Sequence, residues 1–369
     1  MSLDVIVCDD SSFARKQLIR TLPKSLVNNL YQAGNGLEAM ECLREHKGEL
    51  LFLDLTMPGM DGYQVLEAIK NERINIMTIV VSADIQPEAI KIILSYENVL
   101  EFIPKPLDKN KLLDLLTNYG LMDPNDTETV QIVETDSEKQ DRSNIFDSLR
   151  EKLNIAAGVT ASRMAEILNL FITMPVPDVK LKKGLEVTRD IVHWLNMRDS
   201  DNQKNHIIVS QGFVGDGVLG ENLLYFSPED MNNYTHLVCD TKTTYEEKVG
   251  IMIDLAGLIS GTFIRVLATQ FNTVIRTTHP ALVPNILIDE SFIKGESPDV
   301  PPASEDENQE QPEEPFMPYN IASPTYKDGN ILSVEFNFDV KGQGMSVRLD
   351  MLFTNDTVKK VMQLMEFSE

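Results

Sequence analysis

Cysteine is scarce: Cys8, Cys42 and Cys239 are the only three in 369 residues, too few and too scattered for a disulfide framework or a thiolate metal site. The five histidines, His46, His193, His206, His236 and His279, show no HExxH or paired ligand spacing, which leaves them core or surface roles. Basic side chains are also in deficit. The 33 Lys and Arg stand against 57 Asp and Glu, a net charge of −24, and repulsion on that scale opposes docking on a nucleic-acid backbone or an anionic lipid surface. No nucleic-acid partner and no DNA-binding output are expected. No uninterrupted apolar run approaches the roughly 20 residues that span a bilayer. The opening MSLDVIVCDD has acidic residues where a secretory leader needs a basic flank. The expectation is a cytoplasmic chain with reduced thiols and no membrane insertion. Its length exceeds one ordinary core, at roughly 100–200 residues per domain, so two domains are expected.

From Asp4 to about Leu121, short β-branched runs alternate with helical patterns. DVIVC precedes a helix near Ser12–Leu22, LLFLDL precedes Gln64–Asn71, MTIVVS precedes Pro87–Tyr96, and VLEFI precedes a last helix from Asn110. Apolar strands of this kind, buried on both faces, predict an α/β doubly wound parallel five-stranded sheet, with ligands beyond the carboxyl ends of the strands. A polar, acidic stretch over 122–143 has too little apolar surface to fold alone and predicts a flexible linker. The remainder, 144–369, predicts an α+β domain. It comprises a long helix about Ile145–Leu170, strands around His206–Phe226, a helix about Glu246–Thr269, strands near Ile331–Phe353 and a closing helix Asp356–Phe367. Within it, 295–316 is rich in Pro, Glu and Gln and predicts a disordered acidic insert. Gly215, Gly217 and Gly220 have a weak dinucleotide-like spacing, but Phe213, Val218 and Leu223 around them predict a β-hairpin turn, so no nucleotide site is proposed. The sixteen methionines are dispersed and read as core filler.

The chemistry sits at the strand ends. Asp9 and Asp10 end the first strand and Asp54 the third, within DLTMPGMDG. Three converging carboxylates repel unless a cation joins them, and a hard divalent ion, Mg²⁺, prefers such oxygen ligands. A carboxylate screened in this way can attack phosphorus and become an acyl phosphate. Ser82 and Lys105 end the fourth and fifth strands, where a hydroxyl and an ammonium can hold phosphoryl oxygens. Over Met1–Leu121 these residues resemble the CheY-like response regulator receiver family: the pair Asp9-Asp10, Asp54 followed by MPxxDG, Ser82, and Lys105-Pro106. The resemblance implies that Asp54 is the phosphoacceptor, that Asp10, Asp54 and the Thr56 carbonyl hold the metal, and that Asp9 acts through water. It further implies that Phe102 is an aromatic switch and that Lys105-Pro106 is cis. The implied kinase is a sensor histidine kinase of CheA type.

In the long helix, Asp147, Glu151, Asn154 and Gly158 share one face, while Phe146, Leu149, Leu153 and Ala156 form a core stripe on another. Like charges at i,i+4 and a mid-helix glycine both cost helix stability. Two explanations stand: a solvated polar face with a glycine for close packing, or a reagent in which a carboxylate anchors a partner and a carboxamide orients water. DSLREKLNIAAG resembles the signature of the CheC/CheX/FliY chemotaxis phosphatases. In that family the Glu pairs with a receiver lysine and the Asn aligns an in-line water. Carried over, Glu151 is the anchor, Asn154 the catalytic amide and Asp147 a supporting carboxylate.

The later stretch EEKVGIMIDLAGLISGTF echoes this helix, setting Asp254, Gly257 and Gly261 against Glu151, Asn154 and Gly158. It is an internal pseudo-repeat whose second copy lacks the amide and is expected only to pack. The resemblance implies an aspartyl-phosphate phosphatase acting on a phosphorylated CheY-like receiver, its own or a separate one. The alternative is a noncatalytic phosphate sink or adaptor docking on the flagellar switch or on a CheD-like deamidase. A FliM-like motor component is a third reading.

Overall fold

The computed structural model describes residues 2–123, 128–130, 138–184, 186–187, 189–191, 206–239, 243–283, 330–342 and 344–354, with a few positions after these. It divides into two compact units, one formed by Met1–Pro177 with Phe338–Lys341, the other by Asp178–Asn337 with Gly342–Ser368.

In the first unit, β1 (Leu3–Cys8), β2 (Val27–Ala33), β3 (Leu50–Leu53), β4 (Met77–Ser82) and β5 (Val99–Pro104) form a parallel sheet in the order β2-β1-β3-β4-β5. The apolar runs of β1 and β3 are buried because helices cover both faces. One core gathers Ile6, Leu51, Leu53, Val65 and Val80, and the other Val5, Val7, Phe52, Ile79 and Leu112. The helices start where capping residues dictate. Ser11 caps α1 (Ser12–Thr21), Asn35 caps α2 (Gly36–Arg44), and Asp61 forms a capping box with Gln64 on α3 (Gly62–Glu72). Gly62 is required there, since a Cβ would lie 2.3 Å from the Asp54 carbonyl oxygen. Then come α4 (Pro87–Ile93) and α5 (Lys109–Asn118), the latter capped by Asp108. Because the strands are parallel, Asp9, Asp54, Ser82 and Lys105 all emerge at one edge.

The stretch expected to be a flexible linker departs from that expectation at 128–130. Lys24 N–H donates to the Glu128 carbonyl at 2.8 Å and Val130 N–H to the Leu22 carbonyl at 3.0 Å, while Val130 packs on the second core. A β-branched residue beside an open backbone edge suffices to pin the strap. The rest of the linker, 124–127 and 131–137, lies outside the described residues, as does the acidic insert at 295–316. The long helix α6 (Glu138–Leu168) follows, then β6 (Ile172–Thr173), which pairs with Asp339 and Val340. Leu149, Leu153 and Ala156 are buried as expected, but so are Glu151, Asn154 and Gly158. The solvated-face explanation therefore fails, because from Ser148 to Ser162 only a few positions of α6 reach the surface.

The second unit is mixed, with an antiparallel sheet. It contains β7 (Asp178–Lys183), β8 (Ile207–Gly215), β9 (Val218–Phe226), α7 (Pro228–Val238), α8 (Tyr245–Gln270), β10 (Arg276–Thr277), β11 (Ala281–Leu282), β12 (Asn330–Val340, its last residues in the first unit) and β13 (Met345–Phe353). The strands run β10-β8-β9-β13-β12, with β11 on β8 and β7 on β12. The GDG segment is a hairpin turn as expected, with Asp216 and Gly217 at φ 49° and 80° joining β8 to β9. Helix α8 is long and apolar enough by length and composition to cross a membrane, which differs from the expectation based on uninterrupted runs. Half of that apolar window is nonetheless buried, and α8 packs on β8 and β9. The closing helix expected at Asp356–Phe367 falls partly outside the described residues.

Candidate functional site at the carboxyl edge of the parallel sheet

Asp54 is 2% exposed and follows β3 directly. Its Oδ1 accepts from the N–H groups of Leu55 at 2.7 Å and Thr56 at 3.3 Å, and its Oδ2 accepts from Lys105 Nζ at 3.0 Å. Lys105 Nζ also donates to Asp9 Oδ2 at 2.8 Å. One oxygen each from Asp9, Asp10 and Asp54 lies within 4.8 Å of the others. Asp10 Oδ1 is buried with no hydrogen-bond partner among the described residues. Burial pushes the Asp9 carboxyl up to about 7 despite the pull of Lys105. Burial and the charges of Asp9 and Asp54 do the same to Asp10, also to about 7. A partnerless buried carboxylate oxygen beside two more carboxylates fits a hard divalent cation with oxygen ligands. Thr56 is buried two residues beyond Asp54. Ser82 is fully buried at the end of β4, its Oγ accepting from Asp84 N–H at 3.3 Å, and the Lys105 N–H donates to the Ser82 carbonyl at 2.9 Å. Phe102 on β5 is half-buried against the first core, and Lys105-Pro106 is cis, as expected.

Helix α6 reaches this edge within the same compact unit. The Glu151 carboxylate oxygens lie 3.1 and 3.3 Å from Lys105 Nζ. Burial would lower the Lys105 ammonium, but Asp54, Asp9 and Glu151 together hold it well above the ordinary lysine value. Burial raises the Glu151 carboxyl, opposed by Lys105. A cavity of about 20 Å³, room for one water, is lined in part by Asp9, Asp54, Lys105 and Glu151. Asn154, one turn along, is 3% exposed, and its Oδ1 has no hydrogen-bond partner among the described residues. Asp147, one turn earlier, accepts from Ser12 Oγ at 2.6 Å. Gly158 lies against the loop after β4, where a Cβ would meet the Ala83 carbonyl oxygen at 2.0 Å. The structure thus brings Glu151 onto Lys105 in one buried group with Asp9 and Asp54, while Asp254 on α8 is exposed.

Two contributors escape a reading of sequence. Ser12 is an ordinary first-turn residue of α1. Gln86 occupies the N-cap position of α4, where Ser, Thr, Asp or Asn is the norm, and that mismatch is the one signal it carries.

Residues 5–117 match the family described as "Response regulator receiver domain". The chemotaxis protein CheY of Bacillus subtilis is 30% identical over 116 residues, 31% of this chain and 96% of that protein. An uncharacterized response regulatory protein of Staphylococcus epidermidis is 30% identical over 128 residues, 33% of this chain, and the chain spans about half the length of that first relative. Among solved structures, FliY of Thermotoga maritima aligns with 64% of this chain and 100% of its own at 15% identity and a TM-score of 0.40, a likeness that carries no functional argument. With the parallel sheet, its acidic edge and the near-complete span of CheY, the chain belongs to the response regulator receiver family of two-component signalling.

Proposed function

We propose that the chain is an aspartyl-phosphate phosphatase built in cis: its receiver takes a phosphoryl group on Asp54, and α6 of the same chain hydrolyses it. The observation carrying this reading is the 3.1 Å approach of Glu151 to Lys105 within one unit. The cation that fits the acidic edge is Mg²⁺, with Asp10, Asp54 and Thr56 as its holders and Asp9 beside them. When bound, it offsets the carboxylate charge against an incoming phosphate. Asp54 attacks phosphorus and displaces the donor's leaving group, while Lys105 and Ser82 hold the phosphoryl oxygens. In the reverse limb, Glu151 holds α6 in place through Lys105, and the Asn154 amide accepts a hydrogen bond from water on Oδ1 and donates through Nδ2. The water oxygen bonds to phosphorus as the bond to Asp54 breaks, leaving a free carboxylate and inorganic phosphate. Asn154 Oδ1, buried without a partner among the described residues, is the acceptor this step requires. Asp147 supports the helix through Ser12.

On this reading residues 1–121 are the receiver, 122–143 the connection and 144–369 the phosphatase domain, which lends α6 to the receiver. A kinase of CheA type supplies the phosphoryl group, and a separate phosphorylated receiver becomes a second substrate only where α6 leaves the receiver of its own chain. The degenerate copy on α8, with Gly257 in place of an amide, adds no second site.

The burial of Asp54 favours a second reading, in which α6 is a noncatalytic lid. Phosphoryl lifetime separates the two. After loading from a small phosphodonor in Mg²⁺ and removal of the donor, Asn154→Ala should keep its phosphate at least about tenfold longer than the parent, about 1.4 kcal/mol of barrier. Equal lifetimes leave the lid.

A further inference from the structure

Gln86 stands at the N-cap position of α4, yet its side chain caps nothing. It is 1% exposed and turned instead to a residue 86 positions away. Its Nε2 donates to the Ile172 carbonyl at 2.6 Å and its Oε1 accepts from the Ile172 N–H at 2.9 Å, so one carboxamide closes on both backbone groups of the first residue of β6. Nε2 also donates to Asp84 Oδ1 at 2.9 Å, and Asp84 accepts from Tyr63 OH at 3.0 Å, which fixes the orientation of the amide. At the other end, Ser12 donates to Asp147 at 2.6 Å. Between them Gly158 meets the Ala83 carbonyl at a distance only glycine permits. None of these three contacts touches Asp54, Asp9, Asp10 or Lys105. They bracket the Glu151 contact from both sides, over about 16 Å of helix from Asp147 to Gly158 at 1.5 Å per residue.

We infer that the Gln86–Ile172 clasp, with Ser12–Asp147, commits α6 to the receiver of its own chain, so that Gln86 is a specificity-determining positioning residue that keeps the helix from foreign receivers. The inference rests on the reading of α6 as the dephosphorylating element. A cap would need a short side chain bonded to its own helix. A space-filling residue would not need a carboxamide with both ends engaged on the backbone N–H and C=O of one residue. A helix already joined covalently to its target acts at high effective concentration, and added contacts outside the chemistry multiply that advantage against any second chain.

The test mixes complementary full-length variants. The substrate is the Gly158→Ala chain loaded with phosphate, whose own α6 is barred by the Ala83 carbonyl while Ser12, Gln86 and Asp54 stay intact. The enzymes are Asp54→Ala chains, which cannot take phosphate, with Gln86 either retained or changed to Ala. A second pair with Ser12 retained or changed to Ala repeats the comparison without altering the clasp loop. Loss of phosphate from the substrate should rise with enzyme concentration, and should be at least about fivefold faster with either released enzyme than with the clasped one. Equal rates with clasped and released enzymes, zero included, overturn the clasp and leave the proposed function standing as long as the parent chain loses its own phosphate faster than Asn154→Ala does. Equal lifetimes in that last pair overturn the proposed function and the inference with it.

Discussion

Two helices of this chain carry the same spacing of a carboxylate and small residues, and they end in opposite circumstances. On α6, Glu151 is buried on Lys105, Asn154 is buried, and Gly158 touches a backbone carbonyl. On α8, Asp254 is exposed, a Cβ on Gly257 would meet only the Pro280 ring at 3.2 Å, and one on Gly261 would meet nothing within 4 Å. A stripe acquires a role from what lies opposite it. Buried carboxylates divide similarly: Glu151 has an ammonium, whereas Glu221, 1% exposed on β9, has one oxygen on Ser210 Oγ and the other without a partner among the described residues.

The largest expected effect lies in the first unit. Asp54→Ala should abolish phosphoryl uptake from a small phosphodonor in Mg²⁺ with the chain still folded, read by mass or a phosphate-affinity gel. Stoichiometric uptake would remove the acceptor and with it the contrast between the two helices.

Next is Glu221, whose carboxyl burial pushes from 4.5 up to about 7. A raised acid holds its proton in the fold more tightly than in the unfolded chain. Its contribution is therefore full below about 4.5 and lost as pH rises through about 7. Glu221→Gln, which mimics the protonated form, should remove up to about 3 kcal/mol of that pH dependence in urea unfolding. A parent and variant with parallel stability from pH 4 to 8 would show that Glu221 finds a partner.

The third comparison sets helix against helix. Glu151→Ala should lengthen the phosphoryl lifetime by at least about tenfold, while Asp254→Ala should change it by less than about twofold. The reverse result would move the activity to α8. The smallest effect is Gly261→Ala, which should stabilise the chain by up to about 1 kcal/mol because α8 gains helix propensity in open space. Gly158→Ala should do the opposite, and its phosphate should persist longer. A stabilised Gly158→Ala chain with normal turnover would mean that the close approach to Ala83 is dispensable.

The parallel sheet and its acidic edge were legible because the signals are local: β-branched runs closing on Asp, Ser or Lys. The hairpin at Asp216-Gly217 was legible for the same reason. The edge strand Val27–Ala33, with Asn28 and Asn29 near its start and little of it buried, offers no such run. Glu151 and Asn154 could be picked out by the resemblance of DSLREKLNIAAG to a phosphatase signature, spacing alone leaving a solvated face open, but sequence cannot show that their helix lies on the receiver of the same chain. That depends on Ser12, Gln86 and a backbone carbonyl, none distinctive in type. The strap at 128–130 escaped for a like reason, since its hold is backbone hydrogen bonding with one valine.

Gln86 grips the backbone of one residue rather than a side chain, and this makes the two partners unequal under mutation. Any residue except proline presents the same N–H and C=O at position 172. Its complete burial there restricts drift to apolar types without disturbing the grip. At position 86, a glutamate could still accept the N–H but could not donate to the carbonyl, and an asparagine is one methylene short. Lineages that keep this arrangement should therefore wander at 172 and stand still at 86, a pattern opposite to that of an ordinary core contact, where both sides drift together.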